Sequence, residues 1–345
     1  MVKILTYNQI DRQKWYELVQ SSPVATWFQT DEAYRFYSSL HGELQPFAHG
    51  VAENDRLVGV VVGFITSLSV GIIGGNYTCR AIIYGGPLLS EDISEEALNT
   101  LLKEVMKVRI NIFYYMENPG WIPPPKTPIY IETRNFHDYS KWKTIFEQNG
   151  FAYQPHYDIH VHCDANHQIS ERRQRELKKA IKNGAVVQEA QSEQEVREWY
   201  QILSQLYRTK VRTPLFSEDF FLQFYRNRVG KYLLVKKDNK VIGGMMCPIL
   251  EGKAIYEWYV CGLDEQYREL SPSVVATNAA IEYAKAHNLP LFDFMGAGEP
   301  DVPYGVRDFK MEFGGELQEY GRFLCIRKPL LYKIGTFGVK WLKRK

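Results

Sequence analysis

Residues 263–320 read LDEQYRELSPSVVATNAAIEYAKAHNLPLFDFMGAGEPDVPYGVRDFKMEFGGELQEY, and this stretch is the most informative part of the sequence. Ser271 followed by proline is typical of a helix start, and the apolar spacing over 274–286 predicts a helix with one buried face. The segment Leu-Phe-Asp-Phe at 291–294 predicts a short strand, and a Phe/Gly element follows at 313–316. Strand and helix signals that alternate in this way indicate an α/β fold.

The same order of elements occurs earlier in the chain. In each half a charged turn enters an apolar strand, and a second strand, a helix, a third strand and a Phe/Gly element follow. These elements lie at 56–62, 81–84, 95–109, 129–132 and 146–151 in the first half, and at 240–246, 254–259, 274–286, 291–294 and 313–316 in the second. The repeat predicts two copies of one α/β unit. The polar stretch 164–170 is the expected boundary, giving a first unit over 1–165 and a second over 166–345.

The composition excludes several classes of protein. The chain of 345 residues is 45% hydrophobic and 24% charged, which excludes a disordered or fibrous protein. Its 42 Lys+Arg and 40 Asp+Glu give a formal net charge of +2, so it is not a globally basic nucleic-acid-binding protein. Five widely spaced cysteines argue against a disulfide framework and predict a reducing compartment.

The first half of the chain contains one uncharged segment and one proline-rich segment. Gly59–Gly75 is uncharged over 17 residues, close to the shortest membrane-spanning length. Its β-branched runs flank a polar turn, which favours a buried strand pair over a transmembrane helix. The proline-rich stretch 118–128 predicts an extended loop inside the first unit. Asp11 and Arg12 leave no room for the apolar core of a signal peptide, so we expect a cytoplasmic protein.

A cationic helix is predicted over residues 170–184. Ser170 suits the N-cap, and the closing Asn-Gly pair suits a left-handed stop. The segment holds six cations and two anions. One interpretation is a solvated helix face. The other is an anion-binding helix, because Arg172, Arg175 and Lys179 fall on one side of it.

Further candidate binding residues lie in the quoted stretch. Arg268 and Ser271 stand where the free N–H groups of a helix start could bind a phosphate, although an ordinary capped helix would look the same. Tyr304, Arg307 and Lys310 place two cations and a tyrosine before the Phe/Gly element. Such a group can stabilise a developing oxyanion or bind a phosphate.

No metal site is predicted. His160 and His162 share one face of a predicted strand by alternation. Zinc needs a third ligand, and the spacing of these histidines does not offer one. The sequence also lacks the motifs of serine hydrolases, zinc proteases, P-loop proteins and dinucleotide-binding proteins.

The quoted stretch and three shorter segments of the chain resemble a known family. The stretch 263–320 looks like the C-terminal half of a GNAT-type acyltransferase domain, and is similar to the Fem family of peptidoglycan-bridge aminoacyltransferases. The piece FK-x-x-FGGE-x-x-x-Y at 309–320 is the most specific part of the resemblance. Segments 25–32, 172–184 and 210–214 resemble further family elements in the expected order.

The resemblance implies two tandem GNAT-like units, each a mixed twisted sheet flanked by helices. It implies transfer of an acyl or aminoacyl group onto an amine of a cell-envelope precursor. Lys310 matches the family lysine thought to assist at the reacting centre, and Asp293 matches the aspartate of the penultimate strand. Arg172 and Arg175, with Lys179 on the same helix, match the cations near the anionic substrate.

The two halves of the chain differ at the position of Lys310, and this difference predicts different roles for the two units. The first half has Ile145-Phe146-Glu147 where the second has Phe309-Lys310, so we expect transfer in the second unit and acceptor binding in the first. Glu257 and Tyr259 share a strand face by alternation, and we expect them to contact the acceptor amine.

No resident cofactor is predicted, and the donor is a substrate, either acyl-CoA or aminoacyl-tRNA. The acceptor is an anionic envelope precursor, nucleotide-linked or lipid-linked, and tRNA is a candidate partner. Ser273 stands where the relatives carry glycine, and the standard cofactor-pyrophosphate loop of GNAT proteins is absent from the sequence. Two alternatives stay open: a CoA-dependent N-acyltransferase for a polysaccharide or small amine, and a non-catalytic binding relative.

The tail Lys328–Lys345 mixes apolar residues with six cations. One interpretation is a final helix docked on its domain with a basic end. The other is a peripheral contact with the inner face of the membrane, because a basic amphipathic segment suits an anionic lipid surface.

Overall fold

The computed structural model describes residues 1–67, 79–111 and 127–344. The chain forms two compact units, one from Met1–Pro155 with Tyr320–Lys345 and one from His156–Glu319. Each unit is built on one mixed sheet, and the α/β fold of two repeated units is confirmed.

The first unit contains a sheet in the order β1-β2-β3-β4-β6-β16-β7, with β5 paired to β3. Strands β4 and β6 run parallel, and the other pairs are antiparallel. Its described strands are β1 (Val2–Thr6), β2 (Leu44–Glu53), β3 (Arg56–Thr66), β4 (Arg80–Tyr84), β5 (Leu88–Leu89), β6 (Tyr130–Arg134), β7 (Ala152–Gln154) and β16 (Arg322–Ile326). Its described helices are α1 (Arg12–Ser21), α2 (Asp31–Ser38), α3 (Glu95–Val105), α4 (Lys143–Gln148) and α10 (Pro329–Arg344).

The second unit contains a sheet in the order β15-β8-β14-β12-β11-β10-β9, with β13 paired to β11. Strands β12 and β14 run parallel. The strands are β8 (Tyr157–His162), β9 (Val186–Glu189), β10 (Gly230–Lys237), β11 (Lys240–Leu250), β12 (Ala254–Tyr256), β13 (Tyr259–Gly262), β14 (Leu291–Asp293) and β15 (Glu316–Glu319). The helices are α5 (Glu171–Lys182), α6 (Glu193–Leu206), α7 (Glu218–Arg226), α8 (Pro272–Ala286) and α9 (Gly305–Met311).

The two repeated helices form for the reasons that the sequence indicated. The side chain of Ser94 accepts a hydrogen bond from the N–H of Ala97 at 3.1 Å and caps α3, whose apolar side chains are buried in the first core. Helix α8 begins at Pro272, and its apolar face is buried in the second core. In each unit this helix leads into the strand that pairs in parallel with an earlier strand, as a crossover connection requires.

The boundary between the units differs from the predicted one at 165/166. Strand β8 pairs with β14 and β15, so residues from His156 onwards already belong to the second unit. Strand β16 lies between β6 and β7, so residues from Tyr320 onwards return to the first. These pairings are long-range, and no local composition change marks them.

The uncharged segment 59–75 is described only in part. Residues as far as Thr66 continue strand β3, in which the residues after Arg56 are buried. Positions 68–75, and most of the proline-rich stretch 118–128, lie outside the described residues. Within the described chain, no helix combines the length and the apolar character that crossing a bilayer demands.

A buried charge network stabilises the first sheet and leads to a prediction. The carboxylate of Glu132 on β6 lies 3.0 Å from Arg134 Nε and 3.1 Å from Arg322 Nη1 on β16. Burial alone would raise the pKa of Glu132, but the charges of Arg134 and Arg322 outweigh it and lower that pKa to about 2. The ionised carboxylate therefore stabilises the fold above the unfolded-state pKa of 4.5, and this contribution is lost as the pH falls from there towards 2.

We expect Glu132→Gln to lower the free energy of unfolding by about 3 kcal/mol at pH 7, because two half-buried guanidinium groups lose their partner. The difference in the free energy of unfolding between the variant and the unsubstituted protein should become smaller as the pH falls from 4.5 towards 2. Urea unfolding at several pH values measures it. The matched control Glu104→Gln breaks a surface pair with Lys107 and should change stability by about 0.5 kcal/mol or less. Equal effects of the two substitutions would contradict the prediction.

Candidate functional site

A cluster of charged side chains lies at the ends of the central strands of the second unit. Asp158 and His160 alternate on β8 and therefore project from the same face. The strand register places His160 opposite Asp293 of β14. All three residues are buried. The pairing of β8 with β14 thus brings two carboxylates and an imidazole together.

Lys310 on α9 is buried beside this cluster. Its Nζ lies 3.0 Å from Glu257 Oε1 and donates hydrogen bonds to the carbonyl oxygens of Phe294, at 2.8 Å, and Gly296, at 2.9 Å. An ammonium group has three hydrogens, and these acceptors match all three. Lys310 therefore holds both the Glu257 carboxylate and the backbone that follows β14.

Glu257 lies in the break between β12 and β13. Its N–H donates to the carbonyl oxygen of Asp293 at 2.9 Å, while its Oε2 is buried and makes no hydrogen bond. Burial raises the pKa of Glu257, and the charge of Lys310 opposes that rise. A buried carboxylate with one unoccupied oxygen is suited to accept a proton or an ammonium group.

The structure corrects the strand-face argument for Tyr259. Glu257 precedes β13, on which Tyr259 lies, so strand alternation does not relate the two side chains. The ring of Tyr259 packs edge-on against Phe221 of α7, with ring centroids 5.1 Å apart. The sequence could not show this break, because the residues on both sides of it have strand-forming character.

The buried aspartates are fixed by backbone hydrogen bonds. Asp158 Oδ1 accepts from the N–H of Ile159 at 2.7 Å and from that of Gly296 at 2.8 Å, and Asp293 Oδ1 accepts from the N–H of Met295 at 2.6 Å. Burial, followed by the negative charge of Asp293, raises the pKa of Asp158 to about 8. The second oxygen of each aspartate is buried without a hydrogen bond.

These second oxygens face the imidazole. His160 Nε2 lies 3.4 Å from Asp293 Oδ2 and 4.0 Å from Asp158 Oδ2. The three donor atoms lie within 4.8 Å of one another, and one imidazole with two carboxylates is a donor set that zinc accepts. The sequence offered only His160 and His162 as metal ligands. Asp293 joins His160 from another strand, which local spacing cannot show, and Asp158 lies two residues before His160 on the same strand.

The segment 294–298 connects the cluster to α9. Met295 and Gly296 both adopt positive φ angles, of 56° and 128°, which turn the backbone N–H of Gly296 towards Asp158 and its carbonyl towards Lys310. Arg307 Nε donates to the carbonyl of Ala297 at 2.8 Å. Tyr304 packs over Gly298, where an added Cβ would come 2.9 Å from its ring. Arg307 and Tyr304, predicted to bind substrate, thus support this segment.

The second unit is similar to a family of known proteins. The family of acetyltransferase (GNAT) domains matches residues 170–311. These residues are a GNAT acetyltransferase domain. The match includes Glu257, Asp293 and Lys310. The protein is therefore an acyltransferase of the GNAT type, as the resemblance implied.

Solved structures resemble the whole chain. FemX is 15% identical over 96% of this chain and 99% of its own, with a TM-score of 0.66. L-PGS from Bacillus licheniformis is 12% identical over 97% of each chain, with a TM-score of 0.56. A tandem GNAT protein from the clavulanic acid biosynthesis pathway is 10% identical over 94% of this chain and 98% of its own, also at 0.56. These likenesses show a shared tandem GNAT fold, and no curated protein sequence matches the chain.

The cationic helix α5 begins the GNAT domain, and its charges fall into two groups. Arg172 and Lys179 are exposed and form ion pairs with Glu312 and Glu269 respectively. Arg175 is exposed. Arg173, which sequence reasoning did not single out, is buried. Arg172 and Arg173 both pair with Glu312, and of these two only Arg173 does so from a buried position.

Arg173 contacts the segment that carries Lys310. Its Nε lies 3.0 Å from Glu312 Oε2, and its guanidinium lies over the ring of Phe309 at 4.4 Å from the centroid. The helical spacing of Arg173, Leu177 and Ala180 could have shown that an arginine shares the apolar face of this helix. Arg173 thus positions α9.

At the start of α8 in the GNAT domain, the chain provides its own anion. The N–H of Ser273 donates to Asp264 Oδ1 at 3.1 Å, and its hydroxyl donates to Asp264 Oδ2. Ser271, the residue before the helix, has a φ of 40° and its hydroxyl donates to the carbonyl of Arg268. The side chain of Arg268 is exposed. A carboxylate thus occupies the positive end of the helix dipole at the predicted phosphate site.

Proposed function

We propose that this acyltransferase moves an acyl or aminoacyl group onto an amine of a peptidoglycan-type envelope precursor, and that the GNAT domain performs the transfer. The buried pair of Lys310 and Glu257 is the observation that carries the proposal. The full-length likeness to FemX supports a Fem-type reaction, because FemX shares both units with this chain.

In the proposed mechanism, the acceptor ammonium reaches Glu257 Oε2, which is buried while no substrate is bound, and gives one of its protons to that oxygen. The resulting neutral amine attacks the carbonyl carbon of the donor, a C–N bond forms, and the bond to the leaving oxygen or sulfur breaks. The attacking nitrogen loses its second proton as the amide forms, and the leaving oxygen or sulfur takes up one proton, so that atoms and charge balance. Lys310 acts through Glu257 by fixing the other carboxylate oxygen at 3.0 Å.

Asp264 bears on the choice of donor. A CoA pyrophosphate at the start of α8 would meet the Asp264 carboxylate, which already accepts hydrogen bonds there from the N–H and hydroxyl of Ser273. The negative charges of the pyrophosphate and the Asp264 carboxylate would repel each other. This contact supports an aminoacyl-tRNA donor. A CoA-dependent N-acyltransferase is the second candidate, and the match of residues 170–311 to an acetyltransferase domain favours it.

We assign the acceptor's anionic groups to the cations of α5, as the resemblance implied. Arg175 is exposed and is the first residue to test, whereas Arg172 and Lys179 have carboxylate partners that a substrate would displace. A lipid-linked acceptor would be met at the cytoplasmic face of the membrane.

Thermal unfolding of the pure protein with four ligands tests the proposal: a UDP-linked muramyl-pentapeptide, UDP alone, CoA and acetyl-CoA. A ligand at about 100 times its Kd adds ~2.7 kcal/mol of stability, which raises Tm by several degrees. We expect a shift with the muramyl-pentapeptide that exceeds the shift with UDP, and a smaller shift in Arg175→Ala. A shift with CoA or acetyl-CoA alone would replace the proposal with the second candidate.

A further inference from the structure

The helix α10 is attached to the first unit by its beginning. The N–H groups of Arg327 and Lys328 both donate to the carbonyl of Ile129, at 2.9 and 3.0 Å. One turn into the helix, the ring of Tyr332 packs edge-on against Tyr130 with centroids 5.3 Å apart. One side of α10 therefore faces the domain, and its direction is fixed.

The opposite side of α10 exposes large apolar side chains. Leu330 is 72% exposed, Ile334 49% and Phe337 73%. At 100° per residue these three positions fall within 60° of one another around the helix axis. We call Leu330, Ile334 and Phe337 the apolar stripe.

The segment that contains the apolar stripe is positively charged. Residues 328–345 include six cations and no acidic residue. Lys333 is exposed and lies directly beside the stripe in the helical register. An apolar line with a cation beside it, in a segment without acidic residues, matches a surface that is apolar inside and anionic at its edge.

We propose that α10 lies in the interface of an anionic lipid bilayer, with the apolar stripe in the acyl region and the neighbouring cations at the phosphate level. Interfacial helices have this arrangement, and each cation near an anionic membrane surface strengthens binding. The long side chain of Lys333 allows its ammonium to reach the headgroups while its stem stays in apolar surroundings. The inference concerns where the protein acts and does not depend on the proposed reaction.

Co-sedimentation with lipid vesicles tests the proposal on the full chain. The vesicles are phosphatidylcholine alone, or phosphatidylcholine with about one third phosphatidylglycerol. We expect binding to the anionic vesicles that weakens with added salt. Phe337→Glu should lower the partition coefficient at least about tenfold, because an apolar side chain is replaced by a charge within the bilayer. Lys333→Glu should lower binding to anionic vesicles by roughly the same factor.

Tyr16→Glu is the matched control, because Tyr16 is a 60% exposed aromatic residue on α1 of the same unit. It should bind vesicles like the unsubstituted protein. Absence of binding to anionic vesicles would overturn the proposal, and so would equal binding by Phe337→Glu and by the unsubstituted protein.

Sedimentation velocity measures whether the chain forms a dimer. A dimer that Phe337→Glu dissociates, together with no vesicle binding, would overturn the proposal and assign the stripe to a second copy of the chain. Lys310→Met should still bind vesicles. Failure of the membrane proposal can therefore be distinguished from failure of the proposed transfer reaction.

Discussion

Lys310→Met is expected to slow acyl transfer by at least about a hundredfold, a loss typical for removal of one positioned charge from a reacting centre. The lysine fixes Glu257, which we propose as the proton acceptor, and the carbonyls of Phe294 and Gly296. Without the ammonium, Glu257 would be buried with no counter-charge. The single variant should therefore also lose about 3–5 kcal/mol of stability.

A double variant separates stability from chemistry. Lys310→Met with Glu257→Gln leaves no uncompensated charge, so most of the lost stability should return while transfer stays slow. Lys285→Met removes a lysine that pairs with Glu282 near the surface of the same unit, and it should leave both properties unchanged. Transfer by the double variant within about threefold of the normal rate would remove both residues from the mechanism.

The pH dependence of the rate provides a signature that a purely structural role would not produce. Glu257 must be ionised to accept a proton, and the charge of Lys310 lowers the pKa of Glu257. Removing that charge raises this pKa, so the acidic limb of the pH–rate profile should move to higher pH in Lys310→Met. A uniform loss of rate at every pH would contradict action through Glu257.

Gly314→Ala should be the most destabilising single methyl addition in the second unit. Gly314 has a φ of 75°, and a Cβ there would lie 2.0 Å from the carbonyl oxygen of Gln168. A backbone oxygen cannot rotate away as a side chain can, so the chain before α5 would have to move. We expect a loss of more than about 4 kcal/mol, measured by urea unfolding, or failure to accumulate folded protein.

Substitution of two other glycines separates the two causes of this loss, which are backbone strain at a positive φ and steric overlap of the added Cβ. Gly150 has a φ of 82° with nothing within 4 Å of an added Cβ, so Gly150→Ala reports the backbone strain alone, about 1–2 kcal/mol. Gly305 at the start of α9 has open space and no positive φ, so Gly305→Ala should be neutral or stabilising by about 0.5 kcal/mol. If Gly314→Ala costs no more than Gly150→Ala, the steric argument is wrong.

Local pattern predicted the repeated elements well. The helix over 274–286 is confirmed and begins two residues earlier, at Pro272, where the Ser-Pro signal placed its start. The helix predicted over 95–109 ends at Val105. Capping side chains and a single apolar face depend on neighbours within a few residues, and the sequence shows such neighbours directly.

Long-range pairing explains what the sequence did not reveal. Asp158 joins the charged cluster because β8 pairs with β14, and neither the partner nor the register can be deduced from the residues around it. Lys310 was singled out, but its pairing with Glu257 depends on the break between β12 and β13. The predicted roles of the site residues stay predictions until the variants are measured.

The position of β16 has a consequence for the order in which the chain folds. Strand β16 lies between β6 and β7, and the ion pair that joins Arg322 to Glu132 spans 190 residues. A chain leaving the ribosome makes the whole second unit before it makes Arg322. Until then, β6 and β7 lack the strand that lies between them, and β6 has an open backbone edge that other chains could pair with. The second unit, continuous from His156 to Glu319, faces no such delay, so co-translational folding should complete the later unit first.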